Sequence, residues 1–514
     1  MATHLFAAID VGSFELELAI YEIGTKCGIR RVDHLRHVIA LGKDTYNSGK
    51  ISYELVDEMC RILERFQEVM LSYRVEAYRA YATSAMREAK NSPIILDQIL
   101  VRTGIEVNII SNSEQRLLSY KAIAIKEAEF NKIIQKGTAI VDVSFGSMQI
   151  SLFDKDALVS TQNMRLGVLR VREFLSRIQT ETKVHYSLVE EMVDNELLTF
   201  KKIYLKDREI KNILGIGESI LYLFRGAGAS DKEAVEKIST EEFGKFCDRL
   251  LTLSVSQIEE EFGVNRDYAT LLVPSAIIYK QILELTGAEM LWIPGIRLCD
   301  GMAAEYAEQI RQIKFGHSFE EDILAASRNM SKRYRCHTSH IQNIEGYVLR
   351  IFDSMKRFHG LDERERLLLQ IAAILHDCGK FVSMSSPSQC SYNIIMATEI
   401  IGLSHREREI IANVVRYNTG EFDYNQAHLE NGNAEGDTIL LAKLTAMLRL
   451  ANAMDRSHKQ KMAGCKISVK NNELVIGTGY EGDLSLEAIA IAQKADFFEE
   501  IFGIRPVLKQ KRRV

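Results

Sequence analysis

Two stretches about 130 residues apart share one design, and this repetition constrains the fold more than any other feature of the chain. Residues 5–22 (LFAAIDVGSFELELAIYE) read as a strand, a Gly-Ser turn and a second strand in which Leu16, Leu18 and Ile20 alternate. Residues 137–153 (GTAIVDVSFGSMQISLF) repeat the order of strand, Asp, small-residue turn and strand. Asp142, Gly146 and Ser147 thus stand where Asp10, Gly12 and Ser13 stand in the first copy. The spacing is too long for a solenoid and predicts two related α/β domains facing each other across a ligand cleft.

An Asp beside a Gly-Ser bend has a chemical use. Backbone N–H groups free of Cβ obstruction suit phosphate oxygens, and the carboxylate can hold Mg²⁺ or a water. Asp-x-Gly alone is ordinary turn chemistry. The second copy, and a third glycine-punctuated turn in ILGIGES (213–219) carrying Gly215 and Gly217, move the reading toward phosphate.

After about residue 312 the strand patterns give way to helical periodicity at 339–358, 363–377, 389–402, 404–416 and 436–455. KISVKNNELVIGT (466–478) then reads as a hairpin turning at Asn-Asn, followed by a helix and a basic tail taken as a solvated end. The expected domains are residues 1–127 and 128–312, both α/β, then 313–505, helical, and the tail 506–514. At 514 residues and 46% apolar content, several cores can be buried. With 65 Lys+Arg against 70 Asp+Glu, nothing in the overall charge argues for duplex nucleic acid or a membrane. Eight cysteines without a CxxC pair argue against a disulfide framework or zinc ribbon. No run approaches about 18 apolar residues, so a cytoplasmic protein without a signal peptide is expected.

The stretch Ala82-Thr83-Ser84-Ala85-Met86-Arg87-Glu88-Ala89-Lys90-Asn91 resembles the ATSAxRxAxN segment of the exopolyphosphatase/guanosine pentaphosphate phosphohydrolase (Ppx/GppA) family. Asp10-Val11-Gly12-Ser13, Ile110-Ser111, Leu166-Gly167 with Arg170, Gly215-Ile216-Gly217 and Arg297-Leu298-Cys299-Asp300-Gly301 follow in the family's order. The resemblance implies two actin-like domains of the acetate-kinase, sugar-kinase and actin superfamily (ASKHA, ribonuclease H-like). It also implies release of terminal phosphate from polyphosphate or guanosine pentaphosphate, Mg²⁺ as cofactor and a homodimer. Arg87 would grip a terminal phosphate through its guanidinium fork. Asp10 and Asp142 would position metal or water, and Gly12, Ser13, Gly146, Ser147, Gly215 and Gly217 would supply N–H donors.

The pattern departs at the carboxylates. The family's Ser-Gly-x-Glu-Glu-Ala reads Ser111-Asn112-Ser113-Glu114-Gln115-Arg116 here, so the usual base has become Gln115. Its Asp-Ile-Gly-Gly-Gly-Ser-Thr-Glu reads Asp142-Val143-Ser144-Phe145-Gly146-Ser147-Met148-Gln149. An amide can orient water but cannot take its proton. Phe14-Glu15 and Glu218-Ser219 replace the family's Asn-Ser and Gly-Thr. Glu114 is a candidate substitute base, with first-turn capping by Ser111 as the competing role. The alternative function is therefore an impaired relative that binds polyphosphate or a phosphorylated nucleotide as a sensor.

In the helical part, Ile374-Leu375-His376-Asp377 resembles the His-Asp pair of HD-type phosphohydrolases, with His340 at the earlier helical position. The later position carries Asn452 where the active HD family has Asp. This exchange favours an all-α, HD-like domain in which His376 and Asp377 hydrogen-bond within the core over a working metal site.

Overall fold

Strand β1 (His4–Val11) is buried on both faces, which is why its sequence runs almost uninterrupted in apolar residues. Ala7, Ile9 and Val11 face the helix Tyr53–Tyr73 and pack with Met59, Leu63 and Phe66. Phe6 and Ala8 face the other way, onto Leu118, Met302 and Ala303. The computed structural model describes residues 3–25, 27–126, 130–155, 157–175, 182–225, 236–429 and 434–510. β2 (Glu15–Gly24) returns antiparallel to β1, and β3 (Gly28–Val38) adds to its outer edge. β4 (Ala77–Ala82) and β5 (Asn108–Ile109) run parallel on the other side, in the order β3-β2-β1-β4-β5.

The second lobe repeats the plan. β6 (Thr138–Val143), β7 (Met148–Asp154) and β8 (Ala157–Met164) form an antiparallel meander. β9 (Asn212–Ile216) lies parallel to β6, and β11 (Met290–Ile293) lies beyond it, flanked by β10 (Glu236–Ser239). The order is β10-β11-β9-β6-β7-β8. Each lobe thus places its Asp near the end of a first strand that is hydrogen-bonded on both sides.

The chain divides into two compact units, Met1–Asp322 and Ile323–Val514. The second contains the expected helices at Thr338–Ser354, Glu363–Leu375, Pro387–Ala397, His405–Arg416 and Ala434–Met454. It is not all-α. β12 (Lys466–Lys470), β13 (Glu473–Thr478) and β14 (Arg505–Gln510) form a three-stranded sheet in the order β12-β13-β14. The β12–β13 turn is made by Asn471 and Asn472 with φ of 49° and 62°, the left-handed geometry that a two-residue hairpin requires. The expected free tail therefore begins as a strand, because Arg505–Gln510 pairs along the parallel edge of β13 after the helix Ser485–Phe502. Residues 511–514 lie outside those described. Among the described residues, no helix is long and apolar enough to cross a membrane.

Candidate active site

The two duplicated hairpins meet at one cavity of about 60 Å³ in the first unit. Asp10, Gly12 and Ser13 line it from the first lobe, and Asp142 and Gly146 from the second, with Gly217 and Gln115 also on the wall. Thr83 and Ser84 reach it from the Ala82–Asn91 segment.

That segment has a physical reading residue by residue. Ser84 and Ser13 share a hydrogen bond of 2.8 Å, and the Ala85 N–H donates to Ser13 Oγ at 3.1 Å. Asn91 clamps the loop before the helix Tyr53–Tyr73, accepting from Ile51 N–H and donating to Ile51 O. Glu88 pairs with Arg170 of the second lobe at 2.7 Å, and the same guanidinium lies 4.0 Å above the Tyr46 ring. Gly146 packs so closely here that a Cβ would fall 2.0 Å from Ser84 Oγ and 2.1 Å from Tyr46 Oη, so any other residue would have to displace these side chains.

Asp10 and Asp142 differ in surroundings. Ser144 Oγ donates to Asp142 Oδ1 at 2.6 Å, and burial pushes the Asp142 carboxyl above its ordinary value. Gly217, with φ of 96°, passes close enough that a Cβ would sit 2.7 Å from Asp142 Oδ1. Asp10 Oδ1 is buried with no hydrogen-bond partner among the described residues. Burial, then the neighbouring Glu17 and Glu15, push Asp10 well above the usual carboxylate range.

Glu17 and Glu15 are neighbours of Asp10 that the sequence did not assign to the site. The tight hairpin sets Asp10 directly opposite Glu17 in the β1–β2 ladder, so the register was the available signal. Arg297 Nη1 donates to Glu17 Oε1 at 2.6 Å and lies 3.6 Å from Glu218 Oε1. Against the effect of burial, Arg297 and His34 pull Glu17 down to about 2. Glu218 is raised by burial and by Glu15 and Glu17. Ligand oxygens of Asp10, Glu17 and Glu218 lie within 4.8 Å of one another. An all-carboxylate set with one orphaned oxygen has the donor chemistry of a hard divalent cation.

Several expected site residues lie elsewhere. Arg87 does not line the cavity: its guanidinium donates to Ile110 O and Asn112 Oδ1, tying β5 to the start of the helix Asn112–Lys126. Glu114 is also absent from the wall. It accepts from Ser111 N–H at 2.8 Å while its own N–H donates to Ser111 Oγ at 3.2 Å, a reciprocal cap. Ser147 closes the second hairpin by accepting from Ser144 N–H at 3.0 Å. Gly215 lies within β9 beneath Tyr279 and Leu291. Gln149 points at Arg116, whose Nε donates to Gln149 Oε1 at 3.0 Å. In the helical unit, His340, His376 and Asp377 come together, and Asn452 lies within the helix Ala434–Met454.

The Ppx/GppA phosphatase family model matches residues 20–307, and Ppx/GppA phosphatase domain III matches residues 324–487. The chain belongs to the Ppx/GppA phosphatase family. It is 20% identical over 456 residues to a guanosine-5'-triphosphate,3'-diphosphate pyrophosphatase of Vibrio atlanticus, covering 86% of each protein. A protein of the same name from Vibrio vulnificus is 20% identical over 459 residues. Among solved structures, the Aquifex aeolicus Ppx/GppA family member is similar with a TM-score of 0.51, at 18% identity over 62% of this chain and all of that one. An exopolyphosphatase from Cytophaga hutchinsonii gives 0.53, at 17% identity over 60% of this chain and all of that one. At such identities the likeness is one of fold, and it is the mixed α/β fold of a Ppx/GppA protein.

Proposed function

We propose that this Ppx/GppA chain is a phosphohydrolase that releases terminal phosphate from inorganic polyphosphate or guanosine pentaphosphate in the inter-lobe cavity. The observation that carries the reading is the meeting of Asp10 and Asp142, from duplicated hairpins, around a space of phosphoryl size. In the reaction a water oxygen bonds to the terminal phosphorus, the anhydride P–O bond breaks, and the water proton passes to a carboxylate. Asp142 suits that role, because burial raises its affinity for a proton. Gln115 would orient the water through its amide oxygen. Ser13, Ser84 and the backbone at Gly217 would face phosphate oxygens, whereas the Gly12 N–H is held within the hairpin by Glu15 O at 3.0 Å. Arg297, rather than Arg87, is the guanidinium on the wall. Mg²⁺ fits the set Asp10, Glu17 and Glu218, and when bound it would supply positive charge against the phosphate.

A second reading, a binder without turnover, is favoured by one feature: the wall carries Gln115 where the family has its base. Phosphate release from long-chain polyphosphate and from guanosine pentaphosphate, with and without Mg²⁺, separates the two. Under the first reading release is Mg²⁺-dependent, and Asp142→Asn lowers it about 10²–10⁴-fold. Tight binding with no release from wild-type protein would leave only the second. We also carry the cytoplasmic location, the homodimer, to be checked by sedimentation, and an HD-like fold for the helical unit as parts of this proposal.

A further inference from the structure

Phe14 belongs to the first lobe by sequence and to the second by packing. It follows Gly12-Ser13 at the bend of the first hairpin, and the family pattern has Asn at this position and Gly at that of Phe145. Its ring is fully buried in the core of the second lobe, where every other buried member among the described residues lies between Ala139 and Ile293. It meets the Phe145 ring at 4.8 Å and stands at 83° to the Tyr268 ring, 5.2 Å away. The Arg172 guanidinium lies 5.9 Å above it. Each hairpin bend thus carries one Phe beside a small residue of the cavity wall, Ser13 in the first lobe and Gly146 in the second.

The next residue is drawn the same way. Glu15 is 2% exposed, and its carboxylate accepts from Tyr268 Oη at 2.7 Å and from Tyr222 Oη at 3.3 Å, both in the second lobe. The backbone of the bend is pinned to the first lobe instead. Phe14 O accepts from the Ile39 and Ala40 N–H groups at 2.9 and 3.0 Å, and Ser13 O accepts from Gly42 N–H at 2.7 Å. Ser13 therefore cannot move away from the second lobe unless the Phe14 ring leaves its seat. Parting the lobes would put that ring in water, leave a ring-sized void behind it and strip a buried carboxylate of two hydroxyl donors. None of these costs depends on a ligand. Entry does not require parting either, because Gly217, Glu218, Arg297 and Leu298 on the cavity wall are partly exposed.

We propose that Phe14 is a positioning residue that holds the two Asp-bearing hairpins at phosphoryl distance before any ligand arrives. Its effect on turnover rests on the phosphate reading of the cavity, whereas the closed resting state of the lobes does not. Binding of a terminal phosphate then carries no cost of drawing the lobes together, since the competent arrangement is the resting one. With Asn at this position an open arrangement would be populated, and apparent affinity would fall by the fraction of molecules left closed. Saturating substrate would restore closure, so the loss falls on KM and spares kcat.

The test places nitroxide labels on the full-length protein through Leu100→Cys in the first lobe and Leu198→Cys in the second, both exposed positions, with the exposed Cys27 removed as Cys27→Ser. Pulsed electron resonance then reads the distance between the lobes. The parent protein without ligand should give one narrow distance, unmoved by orthophosphate. Phe14→Asn should add a longer distance, and Phe14→Leu, which refills the apolar seat, should not. For phosphate release from tripolyphosphate with Mg²⁺, Phe14→Asn should raise KM about tenfold or more with kcat within about twofold. Phe14→Leu should keep KM within about threefold of the parent value. Should Phe14→Asn fail to fold, the parent protein decides by itself. A longer distance in the ligand-free parent that orthophosphate removes overturns the proposal, as does an unchanged distance in folded Phe14→Asn or a loss confined to kcat. Absence of turnover in every protein would count against phosphate release, and the distances alone would then decide the role of Phe14.

Discussion

Arg297 shows how one residue makes a cleft of like charges tenable. Asp10 and Glu17 face each other across the β1–β2 ladder, with Glu218 near both, and Arg297 pairs with Glu17 and approaches Glu218. Glu17, held at about 2 against an ordinary 4.5, contributes stability that is present above about pH 4.5 and lost as pH falls toward 2. Asp10 and Glu218 carry the opposite sign. Their raised values mean that ionising them costs stability, which is recovered as pH falls. Arg297→Met should therefore cost about 3–5 kcal/mol at pH 7, because Glu17 is left buried with only His34 beside it. The cost should shrink at pH 4, where Glu17 without its partner takes a proton. Urea unfolding at the two pH values checks this, and equal costs would count against it. The glutamine exchanges can also be told apart. Gln149→Glu would place its carboxylate on the Arg116 guanidinium and should not raise phosphate release. Gln115→Glu lies on the cavity wall and should raise it about 10²-fold or more. A gain from Gln149→Glu alone would refute this assignment.

At the scale of elements, Glu114 carries the sharpest lesson. Ser111-Asn112-Ser113-Glu114 is both a departure from the family motif and a capping box, and the hydrogen bonds show the cap. Glu114→Gln should cost at most about 1 kcal/mol in thermal unfolding and leave phosphate release within about twofold. A hundredfold loss of release would make Glu114 the base after all. The hairpin at Asn471-Asn472 and the helices of the second unit were legible from turn chemistry and periodicity. β3 and β8 were not, since each is the third strand of a meander in its lobe and takes its identity from the neighbour it pairs with. β14 was misread for the same reason: a basic stretch becomes a strand only where a partner edge waits for it.

At the scale of the whole first unit, Arg170 couples the lobes. It binds Glu88, accepts Tyr46 beneath its plane, and donates to Gly146 O at 3.2 Å in the second hairpin. Arg170→Ala should raise KM for phosphate substrate several-fold with a small change in unfolding free energy, because the pair is only partly buried. An unchanged KM would mean that the lobes hold their spacing without it.

The sequence by itself determined the duplication, the pairing of an Asp with a small-residue turn in each lobe, and the family, because strand periodicity and motif order are local properties of a chain. Tertiary structure alone decided that Arg87 ties the end of β5 to a helix start, that Arg297 enters the acid cluster, and that the Nε2 atoms of His340 and His376 come within 3.3 Å of each other. These outcomes depend on which groups compete for one donor or one acceptor across residues as far apart as Glu17 and Arg297. That competition is resolved by packing, and no local pattern records it.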